Sequence, residues 1–454
     1  MSDASARRTR RERYAEGEAL RDATPHAAHA EWRTGRTRDP LAILAESDAA
    51  RLPDLIPRRY RKMRKNAFTF LRGAAAIMAA DLVGSAMAGI PVQACGDCHI
   101  GNFGVFVSPE GRVMFDINDF DETLPGIDFT VDLKRLAASV AVEAVAEADF
   151  GEDRARELAC ASVAAYREHM DTLGEMEPLA CWRSSIDLDH EVSRIDDHRS
   201  RDDLRRDLDA GLRHETVEAD IPDLDPATRD GAPATWRIAD EGRKVFHRLP
   251  DGSDEPICDA RAALELYPDS LAPERQALVA RYALRDVAFK VVGIGSVGRV
   301  CTVGLYTDAD GAPLFLQVKE AQASVMAPLV LSPIGAAGSE GRRVIDGQRI
   351  MQAASDIFLG TAHSPASGRS YYVRQLKNHK LSNVPDLMSD DEPRRYAALC
   401  GRTLARAHAR SGDAAAIAGY MGRSTSFDDA MAAFAMTYAE QTLDDHAALL
   451  DREA

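Results

Sequence analysis

The chain has no long hydrophobic run, few aromatic residues and fewer positive than negative charges, and each shortage excludes something. Its most apolar stretch, Gly73 to Pro91, is interrupted by Asp81 and rich in alanine and glycine, which suits a buried helix better than a membrane span. The first residues carry neither an apolar core nor a small-residue cleavage site, so no secretory signal is read there and a cytoplasmic address is expected. Cysteine is sparse: seven in 454 residues, without a signal, are expected to be reduced thiols. Lys and Arg number 56 against 72 Asp and Glu, and the formal net charge of −16 argues against a general attraction to nucleic acid or an anionic membrane. Trp32, Trp182 and Trp236 lack the interleaved basic residues of a nucleic-acid reader. One local basic patch, Arg7, Arg8, Arg10, Arg11 and Arg13, reads as a solvated, mobile tail.

What is present indicates a folded chain of several units. Hydrophobic residues at 45% and charged residues at 28% place it among globular proteins, and its length allows about three domain-sized pieces. No internal repeat is detected. Residues 1–60 form a polar, Arg-rich N-terminal extension with helical pieces around Arg11 to Arg21 and Leu41 to Arg51. A first unit, 61–183, opens with a helix predicted over Phe68 to Met87 and stopped by Gly89 and Pro91. Short strands follow at Val92 to Ala94, Phe103 to Val107 and Arg112 to Ile117, the last two joined by the turn Ser108-Pro109-Glu110-Gly111. Helices over Val131 to Ala148 and Asp153 to Leu173 close that unit. Residues 184–270 read as a charged connector with partial structure, dense in Asp and Arg and punctuated by Pro222, Pro226 and Pro233. A β-rich unit, 271–385, holds strands at Val287 to Gly293, Val300 to Tyr306 and Leu314 to Val318, a helix over Glu340 to Ala354, and strand-like Ile357 to Leu359 and Tyr371 to Leu376. Residues 386–454 supply helices over Glu392 to Arg410 and Phe427 to Leu450, expected to pack on the first unit.

Two motifs carry the chemistry. The first runs Cys95-Gly96-Asp97-Cys98-His99-Ile100-Gly101-Asn102 and continues, past the hairpin, as Phe115-Asp116-Ile117-Asn118-Asp119-Phe120-Asp121-Glu122. So many carboxylates beside apolar strands require a counter-charge. Mg²⁺ takes oxygen ligands, commonly one or two carboxylates plus phosphate oxygens, which suits an Asn and an Asp at the two ends of a hairpin. Standing alone, Asp119 to Glu122 reads equally well as a solvated acidic turn. The second motif is Gly293-Ile294-Gly295-Ser296-Val297-Gly298, followed by a strand ending Gln317-Val318-Lys319 and a helix opened by Glu340. Its strand-turn-strand setting disfavours a dinucleotide fold and favours a flap over nucleotide phosphates. Lys319 is then placed to meet phosphates, with Glu340 as the carboxylate that holds it. Individually, a strand lysine and a helix N-terminal glutamate are ordinary surface groups.

Together these residues resemble the protein-kinase-like superfamily, in particular its aminoglycoside-phosphotransferase-like branch, where H-G-D-x-H-x-x-N precedes a strand ending in a metal-binding Asp. Cys95 replaces the first His, while Gly96, Asp97, His99, Gly101 and Asn102 match. Through LRGAAAIMAADL, CGDCHIGNFG, FDINDFDETLPG, DLKRLAAS, LQVKEA, GQRIMQAASDIFLG and LARAHARSGD the chain also resembles a bacterial family, domain of unknown function 2252, whose name supplies no activity.

The kinase resemblance implies an α+β, two-lobed protein-kinase-like fold, circularly permuted because Asp97 precedes the glycine turn. It implies Mg²⁺ and ATP as cofactors and a phosphotransferase acting on a small-molecule or protein acceptor. Asp97 and His99 take the catalytic-loop positions; Asn102 and Asp116 would bind metal, with Asp119 an alternative to Asp116 and Asp121 a candidate second-metal ligand. Lys319, held by Glu340, would grip phosphates beneath Gly293, Gly295, Ser296 and Gly298, with Gln317 beside the nucleobase. A nucleotidyl transferase and a catalytically silent nucleotide-binding module are the alternatives. C-x-x-C-H also spells a c-type haem attachment, which the missing signal disfavours, and no second C-x-x-C completes a zinc site.

Overall fold

The computed structural model describes residues 8–32, 38–146, 150–193, 221–227, 235–331, 338–376 and 392–452. The hairpin forms where turn chemistry puts it. Phe103–Val107 (β2) pairs antiparallel with Val113–Ile117 (β3), and Gly111 takes φ +79° in the turn, a conformation a Cβ would strain. Before it runs Pro91–Ala94 (β1), and after it Leu124–Asp128 (β4), a strand hidden at the end of the acidic run. Ala94 lies opposite Leu124 in the antiparallel β1–β4 pair, so the chain from 95 to 123 leaves and returns at one point. The helix predicted over 68–87 is two, Ala67–Gly73 and Ala75–Leu82, broken at Ala74 with ψ 31°.

Helices Phe129–Ala146 and Glu392–Ala409 pack on the strand group β1 to β4, Gly151–Glu175 packs on both of them, and Ser426–Asp451 packs on Phe129–Ala146 and Gly151–Glu175, all within one large apolar core. A further helix, Ala414–Met421, was not read from the sequence. It receives the N-terminal helix Arg10–Ala23 so closely that a Cβ on Gly17 would stand 1.9 Å from the Ala416 carbonyl. The basic patch is therefore no free tail: Arg10 reaches Glu175 at 3.1 Å and Arg13 reaches Asp413 at 2.8 Å, while Arg7 lies outside the described residues.

Of the connector, 194–220 and 228–234 lie outside the described residues; Leu224–Ala227 (β5) and Thr235–Ile238 (β6) pair as a short ribbon. The second core belongs to a six-stranded antiparallel sheet. Val245–Phe246 (β7), Ala283–Lys290 (β8), Cys301–Thr307 (β9), Pro313–Ala321 (β10), Gly360–His363 (β11) and Ser370–Gln375 (β12) lie in the order β11-β12-β10-β9-β8-β7. Ile357 to Leu359 lead into β11 without pairing. Helix Glu255–Leu266, placed by sequence in the connector, buries Ala260, Ala263 and Leu264 with this sheet, and helix Glu340–Met351 crosses between β10 and β11. Among the described residues 53% are helical and 17% lie in strands, so the fold is mixed α+β. No described helix is long and apolar enough to cross a membrane.

Candidate functional site

Because β1 and β4 are neighbours, the loop after β1 and the acidic segment before β4 meet. The Cys95 and Gly96 amides donate to the Asp132 carboxylate at 2.6 and 2.9 Å, which anchors the loop on the helix after β4. Gly96 has φ +86°, and a Cβ there would fall 2.3 Å from the Glu122 carbonyl, so this approach requires glycine. Arg135, one turn beyond Asp132, donates to Asp97 through Nε at 3.0 Å and Nη2 at 2.7 Å, and Asn102 Nδ2 donates to the Asp97 carbonyl at 2.7 Å. Burial raises the Asp97 pKa to about 6, opposed by Arg135 and reinforced by Asp119 and Glu122.

The sheet supplies the opposing charges. Lys319 and Gln317 stand two apart on β10, so they share a face, and their cross-strand partners on β12 are Tyr372 and Arg374. Lys319 Nζ lies 3.3 Å from Asp121, 3.9 Å from Asp119 and 3.3 Å from the Ser296 hydroxyl. Burial opposes the charged ammonium, but Asp119 and Asp121 outweigh it and raise the pKa. Burial likewise opposes ionisation of Asp121. Lys319, Arg299, the Tyr372 hydroxyl at 2.5 Å and Arg374 together hold that carboxylate below its ordinary range.

Between β8 and β9 the glycine turn folds over these groups. Ser296 donates to Asp121 at 3.0 Å, and Arg51, from the N-terminal extension, donates to the carbonyls of Gly295 and Val297 at 2.7 and 2.6 Å. The Leu52 amide adds a bond to the Gly298 carbonyl at 2.8 Å. Arg51→Ala is expected to speed amide hydrogen exchange across 293–300 at least tenfold while leaving β9 protected; unchanged exchange in the turn contradicts this bracing role.

Two cavities meet at the centre. One of about 370 Å³ is lined by Asn102, Asp119, Gly293, Ser296, Lys319 and Arg374. The other, about 450 Å³, is lined by Asp97, Asp121, Glu122, Gly295 and Arg299. Arg72, Asp119 and Ser296 border both. Arg72 was not singled out from sequence, although it stands in the L-R-G-A-A-A stretch; among the described residues its buried Nε makes no hydrogen bond and no carboxylate pairs with it.

Several expected residues stand elsewhere. Asp116 is fully buried away from both cavities, where its carboxylate accepts from Arg406 and, at 2.9 Å, from the Ala353 amide. Its position on β3 turns it toward helix Glu392–Ala409, whereas Asp119, two residues past the strand, enters the cleft. Glu340 does not hold Lys319. It accepts from Arg343 at 2.5 Å, and Arg343, one turn along the helix, donates to the Asp121 and Gln322 carbonyls at 3.0 and 2.7 Å. Gln317 is buried and accepts from Arg374 at 3.0 Å. Gly298 packs under Arg51, where a Cβ would stand 3.0 Å from the Arg51 Cβ. His99 is buried 3.8 Å from Asp97, and burial with Arg72 and Arg135 holds its pKa well below the usual value, so the ring is neutral. His408 is buried against Asp132 at 3.1 Å.

Asn102 and Asp119 on one cavity wall suit a hard cation that takes the rest of its shell from phosphate and water. Among the described residues no three of His, Cys, Asp and Glu gather as a metal cluster. Cys95 and Cys98 are buried free thiols, and burial pushes Cys98 well above its ordinary pKa.

Fold and site define an α+β protein with a buried, densely charged cleft between a helical unit and an antiparallel sheet. The chain belongs to a bacterial family, domain of unknown function 2252, described as an uncharacterized protein conserved in bacteria, whose family model covers residues 51–452. Comparison with curated proteins and with solved structures returns no match.

Proposed function

We propose that this cleft is a Mg²⁺- and ATP-dependent phosphotransferase site of the protein-kinase-like kind, with its two halves in exchanged chain order. The observation that carries the reading is the meeting of Lys319 and Asp121, 198 positions apart in sequence and 3.3 Å apart in space, beneath a glycine turn and beside Asp119 and Asn102. The sheet supports it too. A glycine turn joins β8 to β9, the lysine sits on the next strand and a helix follows, which is the order of parts in protein kinases.

In this reading the triphosphate occupies the cavity of about 370 Å³ and the acceptor the one of about 450 Å³. Asn102 and Asp119 would hold Mg²⁺, which when bound neutralises charge on the phosphate oxygens. Lys319 meets the phosphates, and Asp121 takes the place expected of Glu340 by keeping the ammonium oriented and charged. Arg72, at the junction of the cavities with no carboxylate partner among the described residues, faces the transferring group. Asp97, oriented by Arg135, accepts the proton of an acceptor hydroxyl.

A base must be ionised to accept a proton, and Asp97 is raised to about 6. The kcat/KM profile is therefore expected to show an acid limb near pH 6, falling about tenfold per pH unit below it. No limb between pH 5 and 7 contradicts the role. Transfer itself is tested with ATP labelled at the α or the γ phosphate: product labelled from γ alone supports this reading. Label from α means nucleotidyl transfer, and retained binding without transfer means a silent nucleotide-binding module.

A further inference from the structure

Away from the cleft, an open groove of about 980 Å³ separates the Ile56–Met63 helix and its following turn from the loops around β7. Arg58, Arg61, Lys62 and Lys65 line one wall, and Arg243, Lys244 and Arg248 face them from the other. Asp54 and Glu241 are the carboxylates of the lining. None of the seven cations is ion-paired with a described carboxylate, although the chain carries a formal −16 and pairs Arg38, Arg59, Arg135, Arg299 and Arg406 elsewhere. The groove shares no lining residue with either cavity of the cleft.

Crowding seven cations against two carboxylates leaves like charges uncompensated, which raises their energy. Arg58 and Lys62 are half-buried; burial lowers the pKa of each, and the neighbouring cations Arg61 and Arg243, or Arg58, Arg72 and Lys65, lower it further. The two walls are tied together by Arg58, which donates to the Arg243 carbonyl. Lys62 donates at 2.5 Å to the carbonyl of Gly293, so an anion here competes with the glycine turn for that ammonium.

The geometry points to a small anion carrying two or more phosphate groups as the ligand of this groove, at a site separate from the nucleotide cleft. Cations converging from opposed walls suit a compact, multiply charged ligand, and arginine forks match phosphate oxygens. An extended nucleic acid strand is disfavoured because, among the described residues, the lining holds a single aromatic residue, Phe246, already stacked at 5.1 Å on Phe289, and so lacks a row of platforms for successive bases. The inference does not depend on phosphoryl transfer in the cleft.

Calorimetric titration of the full chain with inorganic tripolyphosphate at low salt, without Mg²⁺, tests it. Lys319→Ala should keep a one-to-one site that Arg61→Glu/Arg243→Glu weakens at least tenfold. Both substituted side chains are exposed, and Arg61→Gln/Arg243→Gln, expected to lose about threefold, serves if the charge reversal unfolds the chain. Failure to bind, or binding lost with Lys319→Ala yet kept in the double variant, overturns the proposal. Tighter binding of hexaglutamate than of tripolyphosphate overturns it in favour of an acidic peptide.

Discussion

Asp97→Asn is expected to lower turnover about 10³-fold while Mg-ATP affinity changes less than about threefold, because removal of a positioned base costs roughly 10²- to 10⁴-fold and leaves phosphate contacts in place. The substitution keeps the volume and the backbone bonds of the loop. It also removes the negative charge facing Arg135, which is buried, so thermal melting has to show a folded variant before the rate is read. Turnover within tenfold of the unaltered chain, in a folded variant, removes Asp97 from the chemistry; loss of nucleotide binding in parallel makes it a structural residue.

The second large effect separates two aspartates three residues apart. Asp116→Ala strips the partner from Arg406 in a pair with no exposure on either side, and breaking such a pair costs about 3–5 kcal/mol. A clear drop in melting temperature is expected, with activity lost only through unfolding. Asp119 is about a third exposed, at 35%, and its 3.9 Å pairing with Lys319 is partly screened by water. Asp119→Ala should therefore leave melting nearly unchanged and reduce turnover at least 10²-fold. The reverse pattern would return Asp116 to the site and displace Asp119.

That pair also shows where sequence reading runs out. Alternation in Phe115-Asp116-Ile117 marks a strand and locates the acidic run after it, and Asp119 and Asp121 of that run stand beside Lys319. Which aspartate faces the cleft depends on Arg406, 290 positions away, and no local pattern records that distance. Lys319 meets Asp121 and not the expected Glu340 for a similar reason. The helix opened by Glu340 presents Arg343 to the acidic loop, and the phase of a helix against a sheet is a packing outcome. β4 was missed because Leu124-Pro125-Gly126-Ile127-Asp128 lacks a β-branched run, and it becomes a strand by pairing with β1. Tyr372 and Arg374 were within reach of a simple argument: period two on β12 puts them on one face, opposite Lys319 and Gln317.

On the proposed reading, one cleft assembled from both halves of the chain houses a triphosphate. A crystal structure with Mg²⁺ and a non-hydrolysable ATP analogue tests it most directly. The account predicts the terminal phosphates among Lys319, Ser296, Asp119 and Asn102, with Asp116 still on Arg406. Nucleotide bound only in the groove of Arg58 and Arg243, or no bound nucleotide with the cleft closed by Asp121 and Ser296, contradicts it.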